Sequence, residues 1–291
     1  MSYCTIEQVK EAIDFPSDGA PISDTAINGF ILDAEEEIEN IYKTKFGDIG
    51  DNGVANGTFS STTFSDSTKQ WETNQWVGYV IWIYGGTGAG QYSEIQSNNG
   101  TTLTFNAVTT IPDSTSKYRI VKLGYKEETV DGTGTNEMFV NQQPLINVNS
   151  LVIDSTSVTP SNIYQYRDSG RLKLKSNAEV QFFSNREPQL VELKYIYGVY
   201  PLPRIIQRLA VCIAGIRTLT AQIAGTYDDF SSVSLPGGFS GNKGEPYTNI
   251  RSSLDYLQGE AKGIVYGTKS ADQVSGNFRA EASYRPFALF G

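Results

Sequence analysis

Between Pro203 and Gly225 the chain reads PRIIQRLAVCIAGIRTLTAQIAG, and this segment limits the fold more than any other. Ile205, Ile206, Leu209, Cys212, Ile213, Ile216, Leu219 and Ile223 cover much of the circumference of a 3.6-residue helix. Such a helix must be buried on more than one side, so other elements of the chain, or a neighbouring subunit, have to wrap it. Gln207, Arg208, Arg217 and Gln222 interrupt the run, which therefore reads as a buried helix of a soluble protein. Pro203 suits its first turn, because a first-turn N–H has no intrahelical acceptor to lose.

Candidate partners for this helix lie at both ends of the chain. TIEQVKEAIDF (5–15) carries Ile6, Val9, Ala12 and Ile13 at helical spacing, with Thr5 and Gln8 placed as a capping box and Pro16 as a stop. Ser23 or Asp24 caps a second helix with the apolar face Ile27, Phe30, Ile31, Ala34, Ile38 and Ile41, ended by Gly47. A last helix follows from Ile250, Leu254, Leu257, Ala261 and Ile264. The polar, glycine-rich stretch 225–249 before it is long for a loop in a compact domain.

From Asp48 the composition shifts to Gly, Ser, Thr, Asn and aromatics, with short strand-like runs at 57–64, 76–84, 91–97, 101–105 and 118–121. This reads as a separate β module, a small barrel or meander with Trp71, Trp76 and Trp82 making much of its core. A second β region runs to about Tyr197, with strands in NSLVID, NIYQY, RLKLK, EVQFF and LVELKYIY, and a hairpin turn in RDSGRL. The fold class is α+β. It comprises a small α-helical bundle of N- and C-terminal helices (1–47 and 201–266), a β region (122–200), an inserted β module (48–121) and an extended C-terminal arm (267–291).

The loop GGTGAG (85–90) raises a nucleotide site, since glycine lets backbone N–H groups approach phosphate. Gln91 and Tyr92 stand where a P-loop needs Lys and Ser/Thr, and QYSEIQS alternates as a strand rather than opening a helix. A β-hairpin connection is the expectation.

The chain has no histidine, which removes the commonest general base and zinc ligand, and its carboxylates lack calcium-loop spacing. Cys4 and Cys212 form no paired spacing and read as buried thiols. Asp228 and Asp229, adjacent in a loop, are a weak pair for carboxylate catalysis. A non-enzyme without cofactor or metal is expected. The opening MSYCTIEQVK has no basic n-region and apolar h-region, so no signal peptide is expected, and no membrane partner. A net charge of −9 argues against a broad basic surface gripping nucleic acid. Charge is uneven: residues 1–47 hold three Lys/Arg against ten Asp/Glu, a balance of −7, while residues 203–266 balance at +1. The run DAEEEIEN reads first as a solvated helix face, and alternatively as a face turned to a space that DNA crosses without sticking. On that alternative Glu35, Glu36, Glu37 and Glu39 are candidate channel-facing residues.

The segments YCTIEQVKEAI, SDTAINGFILDAEEEIENIY and VELKYIYGVYPLPRIIQRLAVCIAG together resemble the head-tail connector (adaptor, or head-completion) proteins of tailed double-stranded DNA bacteriophages. The last segment is the more specific, joining a Tyr-rich strand, Gly198, a short gap, Pro203 and the helix. The likeness covers residues 1–47 and 122–266 and leaves 48–121 as an insertion. It implies a homo-oligomeric ring, commonly of twelve subunits, that assembles in the host cytoplasm and sits in the virion neck. The ring's partners are the portal protein and the stopper, tail terminator or tail, and genomic DNA passes through without sequence-specific contact. It also implies a portal-docking arm, here Phe278, Tyr284, Arg285, Phe287 and Phe290. A competing expectation is a glycan-binding or surface-decorating phage protein acting through Trp71, Trp76 or Tyr92 of the β insertion.

Overall fold

A computed structural model describes residues 2–13, 22–225, 233–234, 240–241 and 246–266. The chain is a mixed α/β protein that divides into two compact units. One is Lys43–Leu202; the other joins Ser2–Tyr42 to the described residues from Pro203 onward.

The helical unit contains α1 (Ile6–Ala12), α2 (Asp24–Tyr42), α3 (Arg204–Gly225) and α4 (Pro246–Tyr266). The capping box forms as the spacing predicts: Gln8 N donates to Thr5 Oγ1 at 3.2 Å and Thr5 N to Gln8 Oε1 at 2.9 Å. Ser23 Oγ accepts from Ala26 N at 3.3 Å at the start of α2. The backbone carbonyl of Pro203 receives the first bonds of α3, from Ile206 N and Gln207 N. α3 packs against α1, α2 and α4, and all seven residues from Leu209 to Gly215 are buried within the single chain. No neighbouring subunit is needed to cover that stretch. Cys212 and Leu219 meet Ile13 of the first segment and Leu257 of α4, and Arg208 clamps Glu260 with bonds of 2.6 and 2.8 Å.

α2 stops at Tyr42 rather than at Gly47, because Lys43 takes the left-handed conformation (φ 53°) and breaks the helix. Gly47 instead allows a close backbone approach, since a Cβ there would lie 1.8 Å from the carbonyl oxygen of Lys122.

The β unit contains β1 (Ile49–Val54), β2 (Thr63–Ser65), β3 (Val80–Gly85), β4 (Tyr92–Asn98), β5 (Thr102–Phe105), β6 (Lys117–Val121), β7 (Gly124–Val130), β8 (Glu137–Phe139), β9 (Leu145–Ile153), β10 (Thr156–Val158), β11 (Ile163–Tyr166), β12 (Arg171–Leu174) and β13 (Val191–Tyr197). Three antiparallel sheets result, ordered β1-β6-β3-β4-β5-β2, β10-β9-β13-β7 and β11-β12-β8. The glycine-rich loop joins β3 to β4 as a hairpin, with Trp82 opposite Tyr92, and a strand rather than a helix follows it. Gln91 bridges to Thr110 through both its amide atoms, at 2.9 and 2.7 Å. RDSGRL likewise turns β11 into β12, with Tyr166 opposite Arg171 and Gly170 at φ 61°.

Several expectations are corrected. Trp71 and Trp76 join Phe64, Phe105 and Tyr118 in the core of the six-stranded sheet, but Trp82 does not. Ile81 and Ile83 face that core, so the alternation turns Trp82 to the opposite face of the sheet, the face of the buried Val80, where it is half-buried and stacks on Tyr92 at 5.5 Å. The run EVQFF is no strand. Glu179 there accepts from Thr159 N, Thr159 Oγ1 and Asn162 Nδ2, binding the segment through a side chain instead of a ladder. The regions 48–121 and 122–200 also share a core: Val80 and Val121 pack with Leu123 and Ile196, and Asn149 Nδ2 donates to the carbonyl of Tyr92 at 2.9 Å.

Candidate functional site

The acidic run of α2 sorts into two faces. Glu35 is 6% exposed and its Oε1 accepts from the backbone N of Tyr3 at 2.5 Å. Glu39, one turn on, accepts from the Tyr3 hydroxyl at 2.7 Å. Burial, and secondarily the charge of Glu35, pushes the Cys4 thiol up to about 12. Glu35 therefore serves the interior of the helical unit, and the expectation that it faces a channel is withdrawn.

Asp33, Glu36 and Glu37 lie on the exposed side of the same helix. Arg217 of α3 reaches across to them, with Nη1 to Asp33 Oδ2 at 2.6 Å and Nη2 to Glu37 Oε2 at 2.9 Å. A shallow open groove results, lined by Asp33, Glu36, Glu37, Asn40, Ile41 and Arg217. One guanidinium against three carboxylates leaves an excess of two negative charges. The sequence offered a signal for Arg217, a cation that interrupts a mainly apolar helix, and for Asp33 and Glu37, spaced i, i+4.

Phe278, Tyr284, Arg285, Phe287 and Phe290 lie outside the described residues, as do Asp228 and Asp229. Among the described residues no cluster of three or more Cys, Asp or Glu is placed to hold a metal ion, and no helix is long and apolar enough to cross a membrane. Trp71 and Trp76 are buried and offer no platform to a sugar. The half-buried Trp82 and exposed Tyr84 do form an aromatic surface, with the Arg119 guanidinium 5.4 and 4.5 Å from their ring centres.

No protein-family model matches the chain, and no curated protein matches it.

Proposed function

We propose that the chain is a structural head-tail connector of a tailed double-stranded DNA bacteriophage. In this reading copies form a ring, of twelve subunits as is common in such proteins, that joins the portal at the capsid vertex to the stopper or tail. The ring extends the DNA channel in the virion neck. The helices from the two chain ends act as a bundle, the β module as a small barrel or meander, and residues 267–291 as the arm that docks on the portal.

The observation that carries the reading is the joining of α1 and α2 with α3 and α4 in one helical unit that presents an acidic surface. It accords with the residues on which the family likeness rests. The excess of carboxylates in residues 1–47, ten Asp/Glu against three Lys/Arg, suits a wall that DNA must pass, since phosphates are repelled rather than held. Electron microscopy of the protein mixed with its portal tests the reading. A closed ring under the portal is expected; a chain that stays monomeric even in that mixture overturns it.

A second reading, a glycan-binding or particle-decorating protein, rests on Trp82 and Tyr84. Retention on a polysaccharide panel that disappears in Trp82→Ala would favour it over the connector.

A further inference from the structure

The β11-β12-β8 sheet presents its inner face, including Ile163, Leu172, Leu174 and Met138, to the core. Its outer face is the opposite of what a protein of net charge −9 ordinarily shows to solvent. Two cross-strand rows cover it, Tyr166-Arg171-Phe139 and Tyr164-Lys173-Glu137. Phe139, Tyr164 and Tyr166 are 61%, 52% and 41% exposed. Solvent faces of sheets carry scattered aromatics, but three side by side among cations form a patch with an apolar body and a positive surface.

Of the three cations Arg171, Lys173 and Lys175, the first two share one carboxylate. Glu137 takes Lys173 Nζ at 2.7 Å and Arg171 Nη1 at 3.3 Å, while Lys175 Nζ donates to the backbone carbonyl of Ser161 at 2.6 Å. The face keeps an excess of two positive charges. The cations are also laid along the sheet, with Arg171 3.9 Å from the Tyr166 ring centre and Lys175 4.8 Å from that of Tyr164. Side chains held this way lose little rotamer freedom when a partner arrives.

The same chain carries the matching surface. Asp33, Glu36 and Glu37 against Arg217 leave an excess of two negative charges on α2, with Ile41 beside them to meet an aromatic edge. We propose that the outer face of the β11-β12-β8 sheet docks on the acidic α2 groove of a second copy of this chain. Because the two surfaces differ, the contact is head-to-tail and repeats from copy to copy, as ring closure requires. The inference rests on the ring reading above and names the surfaces that make the ring.

Sedimentation velocity of the full chain over about 1 to 200 µM, at low and high salt, gives the first readout. Self-association that weakens with salt is expected. Two charge-reversed variants follow, Lys173→Glu with Lys175→Glu, and Glu36→Lys with Glu37→Lys. Each alone should associate at least about tenfold more weakly than the natural chain. Their equimolar mixture should recover association, since each supplies the sign the other has lost, and recovery also shows that both are folded. Carbodiimide should join Lys173 or Lys175 to Glu36 or Glu37 between isotopically distinct copies. A natural chain that stays monomeric throughout, or variants that associate as it does, overturns the inference. So does a lysine variant that loses oligo(dT) binding while associating normally, which assigns the face to single-stranded nucleic acid. Rings formed on the portal by both variants refute these surfaces and leave the connector standing; no ring from the natural chain refutes the connector itself.

Discussion

Replacing Gly86 by Ala isolates how the glycine-rich hairpin is held. Gly86 and Gly78 share nearly the same left-handed backbone, φ 74° and 78°, but not the same surroundings. A Cβ at Gly78 meets nothing within 4 Å, whereas at Gly86 it would lie 2.0 Å from the carbonyl oxygen of Thr115 and 2.9 Å from Ser116 N. Gly78→Ala therefore measures the left-handed penalty alone, about 1 to 2 kcal/mol. Gly86→Ala adds the displacement of a backbone that is tied down. Ser116 Oγ donates to the carbonyl of Thr87 at 2.6 Å, and Thr87 Oγ1 donates to Asp113 at 2.7 Å. Forcing such a packed segment apart costs about 1 to 3 kcal/mol more.

Urea unfolding followed by tryptophan fluorescence reads both variants, because all three tryptophans, Trp71, Trp76 and Trp82, belong to this β module. With a slope of about 2 kcal/mol/M, the Gly86 variant should unfold about 0.5 to 1.5 M earlier in urea than the Gly78 variant. Equal midpoints for the two would refute the close approach of Gly86 to Thr115 and leave only backbone conformation as the reason for glycine there.

Cys4 and Cys212 are both held near 12 by burial, so neither should react with iodoacetamide at pH 9 until urea unfolds the chain. These raised values stabilise the fold below the ordinary thiol value of 9.0, and that contribution should fall as pH rises from about 9 to about 12. Glu179 is held down at about 2, first by the Thr159 hydroxyl; an NMR titration should show its midpoint there, and Thr159→Val should raise it toward 4.5. That depressed value favours the folded state above pH 4.5 and is lost as pH falls toward 2. Arg217→Ala breaks both bonds to Asp33 and Glu37, yet those partners are 56% and 46% exposed, so thermal unfolding should show a loss of only about 0.5 to 1 kcal/mol that shrinks in salt.

Local signals with a fixed geometry were legible in the chain. The Thr5-Gln8 box, Ser23, Pro203 and the RDSGRL turn each act within five residues, so the sequence carries the whole interaction. Strands whose reason is distant were not. β1 reads IGDNGV, a turn composition, because its glycines make room for others: a Cβ at Gly50 would lie 2.5 Å from the Trp76 ring, and one at Gly53 2.6 Å from Asp66. EVQFF has the alternation of a strand, but Glu179 finds its partners twenty and seventeen residues earlier. Size alone puts Trp82 in the core with Trp71 and Trp76, and only the phase of Ile81 and Ile83 shows that it lies on the other face of the sheet.

The acidic run poses the same problem with a functional consequence. Four glutamates in five residues look alike as charge, and helical phase alone separates them. Glu35 stands one turn beyond the buried Ile31, and Glu39 one turn beyond Glu35, so both flank the apolar stripe. Burial of a carboxylate there is tolerable because it is bonded, and Tyr3, thirty-two residues earlier, brings a backbone N–H to it. No periodicity in α2 announces that donor. Substituting Glu35 thus tests the fold, whereas Glu36 and Glu37 test whatever the exposed face repels or binds. A channel or docking phenotype has to be sought at the latter pair, where a charge can be reversed without leaving a buried N–H unsatisfied.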